Sequence, residues 1–238
     1  PGGRISLSSA LPGAYNARNL AAALALADLL GVERSISVPA LGAYLGPPGR
    51  FEHIDAGQPF EVIVDFAHTP DALEQLLTTI RAGMRPGARL RVVFGLGGLP
   101  GTAMQDMGRV VRRCSDQLIL TTSGFRAMPP MLTLSSILAG ARTATGAELE
   151  VVLDRRRAIE RAVLRAAADD VIVIPGRGAF PAMHADPRGR PIPFDDRDVA
   201  REIVRALVAQ SASRAVVPQS LTATPRRLST PRRPSRAV

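Results

Sequence analysis

Lysine is absent from this 238-residue chain, and so is tryptophan. A glycine-rich phosphate loop of the G-K-[ST] type needs a lysine, so no complete loop of that kind can be written here. The one cysteine, Cys114, excludes an internal disulfide. It fits a reducing cytoplasm, where a lone thiol packs as a small hydrophobe. Aromatic residues make up only 4% of the chain, yet a hydrophobic content of 46% is enough for a real core. No apolar run approaches the roughly 20 residues that span a bilayer. No signal-peptide pattern is present, but the chain opens on Pro1 instead of Met, so the expectation is that coding sequence precedes it. His53 and His184 have no metal-ligand partners at useful spacing, and no Ser-His-Asp or Cys-His arrangement can be assembled.

The net charge of +9 is unevenly placed. From Ser211 onward there are six arginines (Arg214, Arg226, Arg227, Arg232, Arg233, Arg236) and no acid, which leaves +3 of the +9 for residues 1–210. The basic character belongs to a tail rich in Ser, Thr, Pro and Arg, which cannot bury enough apolar surface to order. Arginines without interleaved aromatics predict weak, salt-sensitive, sequence-blind attraction to nucleic acid, not a specific partner.

Between the ends, the pattern is that of an α/β protein. A helix is predicted over 16–31, closed by Gly31, and a short one over about 38–45. Pro47-Pro48-Gly49 is a breaker cluster and the candidate domain boundary. Strands are then predicted at 60–65, 89–95, 117–121, 149–152 and 170–174. They alternate with helices at 70–83, 103–115, 131–142, 155–168 and 195–209. This rhythm argues for right-handed crossovers and a mostly parallel, doubly wound, Rossmann-like sheet, with an antiparallel edge strand near 51–56. No internal repeat is read. The most informative stretch is Val62 to Leu73. An apolar run ends in Asp65, and Thr69, Pro70 and Asp71 supply a cap, a first helical residue and a dipole partner for the helix that follows. Asp65 and His68 therefore fall at the carboxyl end of a strand, where open α/β sheets bind ligands.

At this stretch a resemblance becomes specific. Asp65-Phe-Ala-His-Thr-Pro-Asp-Ala-Leu73 resembles the signature opening the C-terminal domain of Mur ligases, nearest the muramyl-tripeptide synthetase branch. Leu11-Pro-Gly-Ala-Tyr-Asn-Ala-Arg-Asn-Leu-Ala-Ala22 resembles the family's G-x-F-N-x-x-N-x-x-A block, and Pro48-Gly-Arg-Phe-Glu52 its P-G-R-x-E block. Gly95-Leu-Gly-Gly98, Asp154-Arg155, Gly176-Arg-Gly178 and Phe194-Asp-Asp-Arg197 follow in family order, so the match runs from about residue 10 to 207.

The resemblance implies three parts: residues 1–48 as the C-terminal remnant of a central ATPase domain, 49–210 as the Mur ligase C-terminal domain, and 211–238 as a disordered basic tail. It also implies roles. Asn16 and Asn19, one helical turn apart, would lie at the adenine of ATP, Arg50 at ribose or phosphate, Asp65 on the ribose hydroxyls and His68 beside the nucleotide. Each has a plain structural alternative: a helix cap for Asn16, a solvated arginine for Arg50, a cap or ion pair for Asp65, and a packed turn residue for His68. Arg126 is the one residue left of a D-N-P-R motif and would anchor an amino-acid carboxylate, with Gly176 lining the same site. The family's G-K-G-H-E appears as Gly176-Arg-Gly-Ala-Phe180, so the glutamate that would pair with a distal ammonium is Phe180. Asp154-Arg155-Arg156-Arg157 reads as a capped helix start with solvated arginines, and Asp195-Asp196 as the cap of the last helix.

The implied function is ATP-dependent addition of an amino acid to a UDP-N-acetylmuramyl-peptide through an acyl phosphate, in a cytoplasmic, monomeric enzyme of peptidoglycan synthesis. ATP and Mg2+ would be bound mainly through the central domain, outside this chain. On its own the chain is expected to be inactive, with no catalytic residue and no metal ligand assigned to it. The alternative is a non-catalytic, degenerate binding module that keeps the fold.

Overall fold

A computed structural model describes residues 4–98, 101–124, 129–184, 188 and 190–216. Two helices lead: α1 (Ala14–Leu29) and α2 (Arg34–Ala43). The first ends as the sequence predicts, on Gly31 at φ +74, with Gly31 N–H donating to Asp28 and Val32 N–H to Ala27. That is the Schellman arrangement glycine permits. The second begins four residues before the expected Val38, which places Pro39 inside it. The Glu33 carbonyl starts this helix by accepting from Ile36 and Ser37, so Pro39 forfeits only one later bond.

The sheet then forms from β1 (Glu52–His53), β2 (Glu61–Asp65), β3 (Leu90–Phe94), β4 (Gln117–Leu120), β5 (Glu148–Val151) and β6 (Val171–Pro175). The helices between them are α3 (Pro70–Gly83), α4 (Gly101–Cys114), α5 (Pro130–Arg142) and α6 (Arg155–Leu164). Strand order is β1-β2-β6-β3-β4-β5, all parallel except the short β1 edge, which runs antiparallel to β2 as expected. A second hairpin, β7 (Ala182–His184) with β8 (Pro191–Pro193), has no forerunner in the sequence reading. The last helix, α7 (Asp196–Val216), runs six residues into the stretch assigned to the tail, and Ser211 and Ser213 hydroxyls donate to the Leu207 and Ala209 carbonyls. The remaining tail lies outside the described residues.

Alternation along each buried strand divides the core. Ile63, Val92, Phe94, Leu118, Leu120 and Val173 face α3, α4 and α5. Val62, Val64, Val93, Ile119, Ile172 and Ile174 face α6 and α7. Each fully buried aliphatic side chain contributes roughly 1.5–3 kcal/mol. This layering decides where a ligand can sit. The chain leaves β3 toward one face and β6, its neighbour, toward the other, so a crevice opens outside their carboxyl ends.

Candidate functional site

Asp65 ends β2 and is buried. One carboxylate oxygen accepts from Phe51 N–H at 2.8 Å and the other from Ala67 N–H at 2.7 Å. Burial pushes its carboxyl above the usual carboxylate range, while those two bonds and the Arg50 charge pull it back. Each oxygen keeps a second lone pair, so two adjacent hydroxyls could still be accepted. Phe51 holds φ +49, unusual for a side chain of its size, and its bond to Asp65 fixes that turn. Thr69 caps α3 by accepting from Ala72 N–H at 3.3 Å, with Pro70 first in the helix, as its sequence dictates.

Two turns meet beside this carboxylate. The Asp65 carbonyl accepts from Gly176 N–H at 3.0 Å and Gly178 N–H at 3.2 Å. Gly49, at φ +70, lies so close to the second turn that a Cβ would stand 2.1 Å from Ala179 N. Arg50 is carried over the Phe66 ring at 4.4 Å, and Phe66 in turn stacks on Phe180 at 5.8 Å. Glu52 accepts from Gly49 N–H at 2.7 Å and from Arg197 at 3.3 Å, which ties the turn to α7.

A cleft of about 560 Å³ separates α1 and α2 from the start of α3. Asn16, Asn19, Arg50 and Asp65 all line it, together with Gln75 and both tyrosines of the chain, Tyr15 and Tyr44. The Asn16 amide donates to the Pro12 carbonyl at 2.8 Å, leaving its oxygen for a partner. Burial, with the Asp65 charge behind it, pushes the Tyr15 phenol up to about 12, so it stays a neutral donor. The cleft thus offers amide edges, a guanidinium and a carboxylate between apolar walls (Leu11, Leu20, Leu76), as in a small-molecule site.

His68 does not line this cleft. Its Nδ1 donates to the Phe66 carbonyl at 2.8 Å and its ring meets Phe66 edge-on at 4.6 Å, so it braces the turn. Gly176 lies at the end of β6, at φ +109 against Phe94 and Leu96, with its N–H committed to Asp65. Arg126 lies outside the described residues.

Arg155 corrects the sequence reading. It is not solvated but 1% exposed, and its guanidinium grips Asp196 through two bonds of 2.7 Å while donating to the Gly95 carbonyl at 3.2 Å. A run of three arginines after a capping aspartate looks like a solvated helix start. Only its first member turns inward, toward an acid 41 positions later. Arg177, also buried, lies 3.7 Å from the same carboxylate and donates to the Ser123, Ala182 and Phe194 carbonyls.

A larger hollow of about 790 Å³ opens at the amino end of the strands, beside Arg81, Arg89, Asp116 and Glu148. Its charges are taken up in pairs, Arg81 with Asp116 at 2.7 Å and Arg89 with Glu148 at 2.9 Å, which makes it the weaker candidate. Among the described residues no cluster of three or more His, Cys, Asp or Glu could hold a metal ion, and no helix is long and apolar enough to cross a membrane.

The chain has relatives in sequence and in fold. Residues 49–178 match the family described as Mur ligase, glutamate ligase domain. The UDP-N-acetylmuramoyl-L-alanyl-D-glutamate–2,6-diaminopimelate ligase of Gloeobacter violaceus is 39% identical over 207 residues, covering 85% of this chain and 40% of that protein. The ligase of the same name from Streptomyces coelicolor is 35% identical over 208 residues, covering 86% and 40%. A solved structure of a ligase with this name superposes with a TM-score of 0.63 at 30% identity, over 87% of this chain and 41% of that one. The UDP-N-acetylmuramate-alanine ligase of Thermotoga maritima shares the fold, with a TM-score of 0.58 at 18% identity over 87% of this chain and 41% of its own. The chain spans about two fifths of the length of the curated relatives it matches. With a family match over more than half its length, this chain belongs to the Mur ligases.

Proposed function

We propose that this chain is the C-terminal part of an ATP-dependent ligase that adds an amino acid to a UDP-N-acetylmuramyl-peptide in cytoplasmic peptidoglycan synthesis. The observation that carries the proposal is the convergence of Asn16, Asn19, Arg50 and Asp65, from three separate segments, on one cleft. Asp65 would accept from the two ribose hydroxyls, the Asn16 and Asn19 amides would read the edge of adenine, and Arg50, braced by Phe66, would meet an anionic oxygen. Bound ATP supplies the phosphoryl group that activates a substrate carboxylate. Among the described residues no three His, Cys, Asp or Glu gather into a metal cage, so no metal-dependent step is assigned to them, and Mg2+ is assigned to polypeptide outside this chain.

The two leading helices support the reading that residues 1–48 belong to a larger central domain. Leu29, Leu30 and Leu45 are 84%, 72% and 80% exposed, an apolar surface that further polypeptide would cover. The incoming amino acid is assigned to the crevice beyond β3 and β6, with Gly176 at its edge, and Arg126 is the proposed anchor for its carboxylate. Phe180 is 44% exposed there and stacked on Phe66, where the resembling motif carries a glutamate, which favours an apolar side chain. Calorimetric titration of the purified chain with ADP and with GDP tests the nucleotide assignment. Preference for ADP is expected; absence of ADP binding, or equal binding of both, overturns it.

A further inference from the structure

The carboxyl ends of β3, β4 and β6 are bound together from below by three buried charges. Asp196, fully buried at the first turn of α7, takes both bonds of the Arg155 fork. The other end of that fork donates to the carbonyl of Gly95, first residue after β3. Arg177 Nε lies 3.7 Å from the same carboxylate, a charge contact without a hydrogen bond, while its NH groups donate to Ser123, beyond β4, and to Phe180, Ala182 and Phe194 around the β6 turn. The loops also touch one another directly, Thr121 N–H donating to the Phe94 carbonyl at 2.9 Å. Gly95 sits so close to Thr121 that a Cβ would stand 2.0 Å from its carbonyl oxygen, and Gly176 lies 3.7 Å from the Gly95 oxygen by the same measure. Two guanidiniums thus lie beneath loops in close approach, each bonded to a different one.

We infer that Asp196 is a positioning residue for the amino-acid end of this site: through Arg155 and Arg177 it sets the separation of loops 95–98, 121–124 and 176–180. The inference rests on the assignment of the amino acid to that crevice. Asp196 touches neither cleft nor crevice and acts only through the two arginines. A planar fork held at two points resists rotation far more than a single ion pair does. Because each guanidinium serves different loops, the device has separable halves.

The test uses amide hydrogen exchange and ligand titration on the whole 238-residue chain. In Asp196→Asn, exchange is expected to speed at least tenfold in all three loops, with β4 and β5 unchanged. Diaminopimelate and leucine, titrated in turn as probes, are expected to lose at least tenfold in affinity, while ADP affinity stays within twofold. Arg155→Met is the second variant, for use even if Asp196→Asn fails to fold. It is expected to release 95–98 alone, leaving 121–124 and 176–180 protected. Unchanged exchange in these loops overturns the inference, and so does a uniform rise across the sheet, the mark of a merely structural role. If neither amino acid binds the wild-type chain, the crevice assignment and the positioning role fall together, while ADP binding still reports separately on the cleft.

Discussion

Replacing Asp65 by asparagine separates the two tasks assigned to that carboxylate. Both oxygens accept backbone N–H groups, from Phe51 at 2.8 Å and Ala67 at 2.7 Å. An asparagine keeps one acceptor and turns an NH2 toward the other N–H, which leaves a buried donor unsatisfied at about 1–3 kcal/mol. Against this, the substitution removes a charge that burial disfavours. The native state holds the Asp65 proton more tightly than the unfolded chain does, so wild-type stability falls as pH rises through the raised carboxyl's range. Asparagine lacks that slope. The stability cost of Asp65→Asn is therefore expected to be larger near pH 4 than at pH 7, read by urea unfolding at both. For the nucleotide, losing one charge-assisted bond of about 1.5–3 kcal/mol weakens ADP binding about ten- to 150-fold. A control separates lost contact from collapse. The wild-type chain should favour ADP over 2′,3′-dideoxy-ADP, and Asp65→Asn should lose that discrimination. Undiminished preference for the ribose diol in Asp65→Asn would refute the reasoning.

Gly49→Ala forces a positive φ on a residue with a Cβ, at about 1–2 kcal/mol, and drives that Cβ into the backbone of the facing turn, at about 1–3 kcal/mol more. A melting temperature lower by about 5–15 °C in circular dichroism is expected; an unchanged one would show that the two turns do not abut. The Tyr15 phenol, pushed up to about 12, should appear as a late component in alkaline ultraviolet titration that vanishes in Tyr15→Phe and moves to lower pH in Asp65→Asn, where the opposing charge is gone. Because the unfolded chain gives up that proton first, Tyr15 also predicts stability falling between about pH 10 and 12. Truncation after Val216 removes five arginines and should leave ADP affinity unchanged while abolishing salt-sensitive retention on DNA, measured by filter binding.

Much of this fold is written locally. The apolar run into Asp65, the Thr69 cap and Pro70 at the first helical position place β2 and α3 within a residue of where they lie. The alternation of strand and helix gives the parallel sheet, and the i, i+3 spacing of Asn16 and Asn19 puts both on one cleft wall. What escaped the sequence depends on distant partners. Arg155 looks like its solvated neighbours until Asp196, 41 positions on, is seen to face it. The β7–β8 hairpin is only three residues a side and carries prolines at both ends of β8, so no periodicity marks it. His68 stands in the same turn as Asp65, yet the Phe66 carbonyl two residues back claims its Nδ1.

A crystal structure of the chain with ADP bound tests the central claim most directly. The account predicts both ribose hydroxyls within hydrogen-bonding distance of the Asp65 oxygens and adenine against Asn16 and Asn19. A nucleotide seated elsewhere, with Asp65 still held only by Phe51 and Ala67, would contradict it.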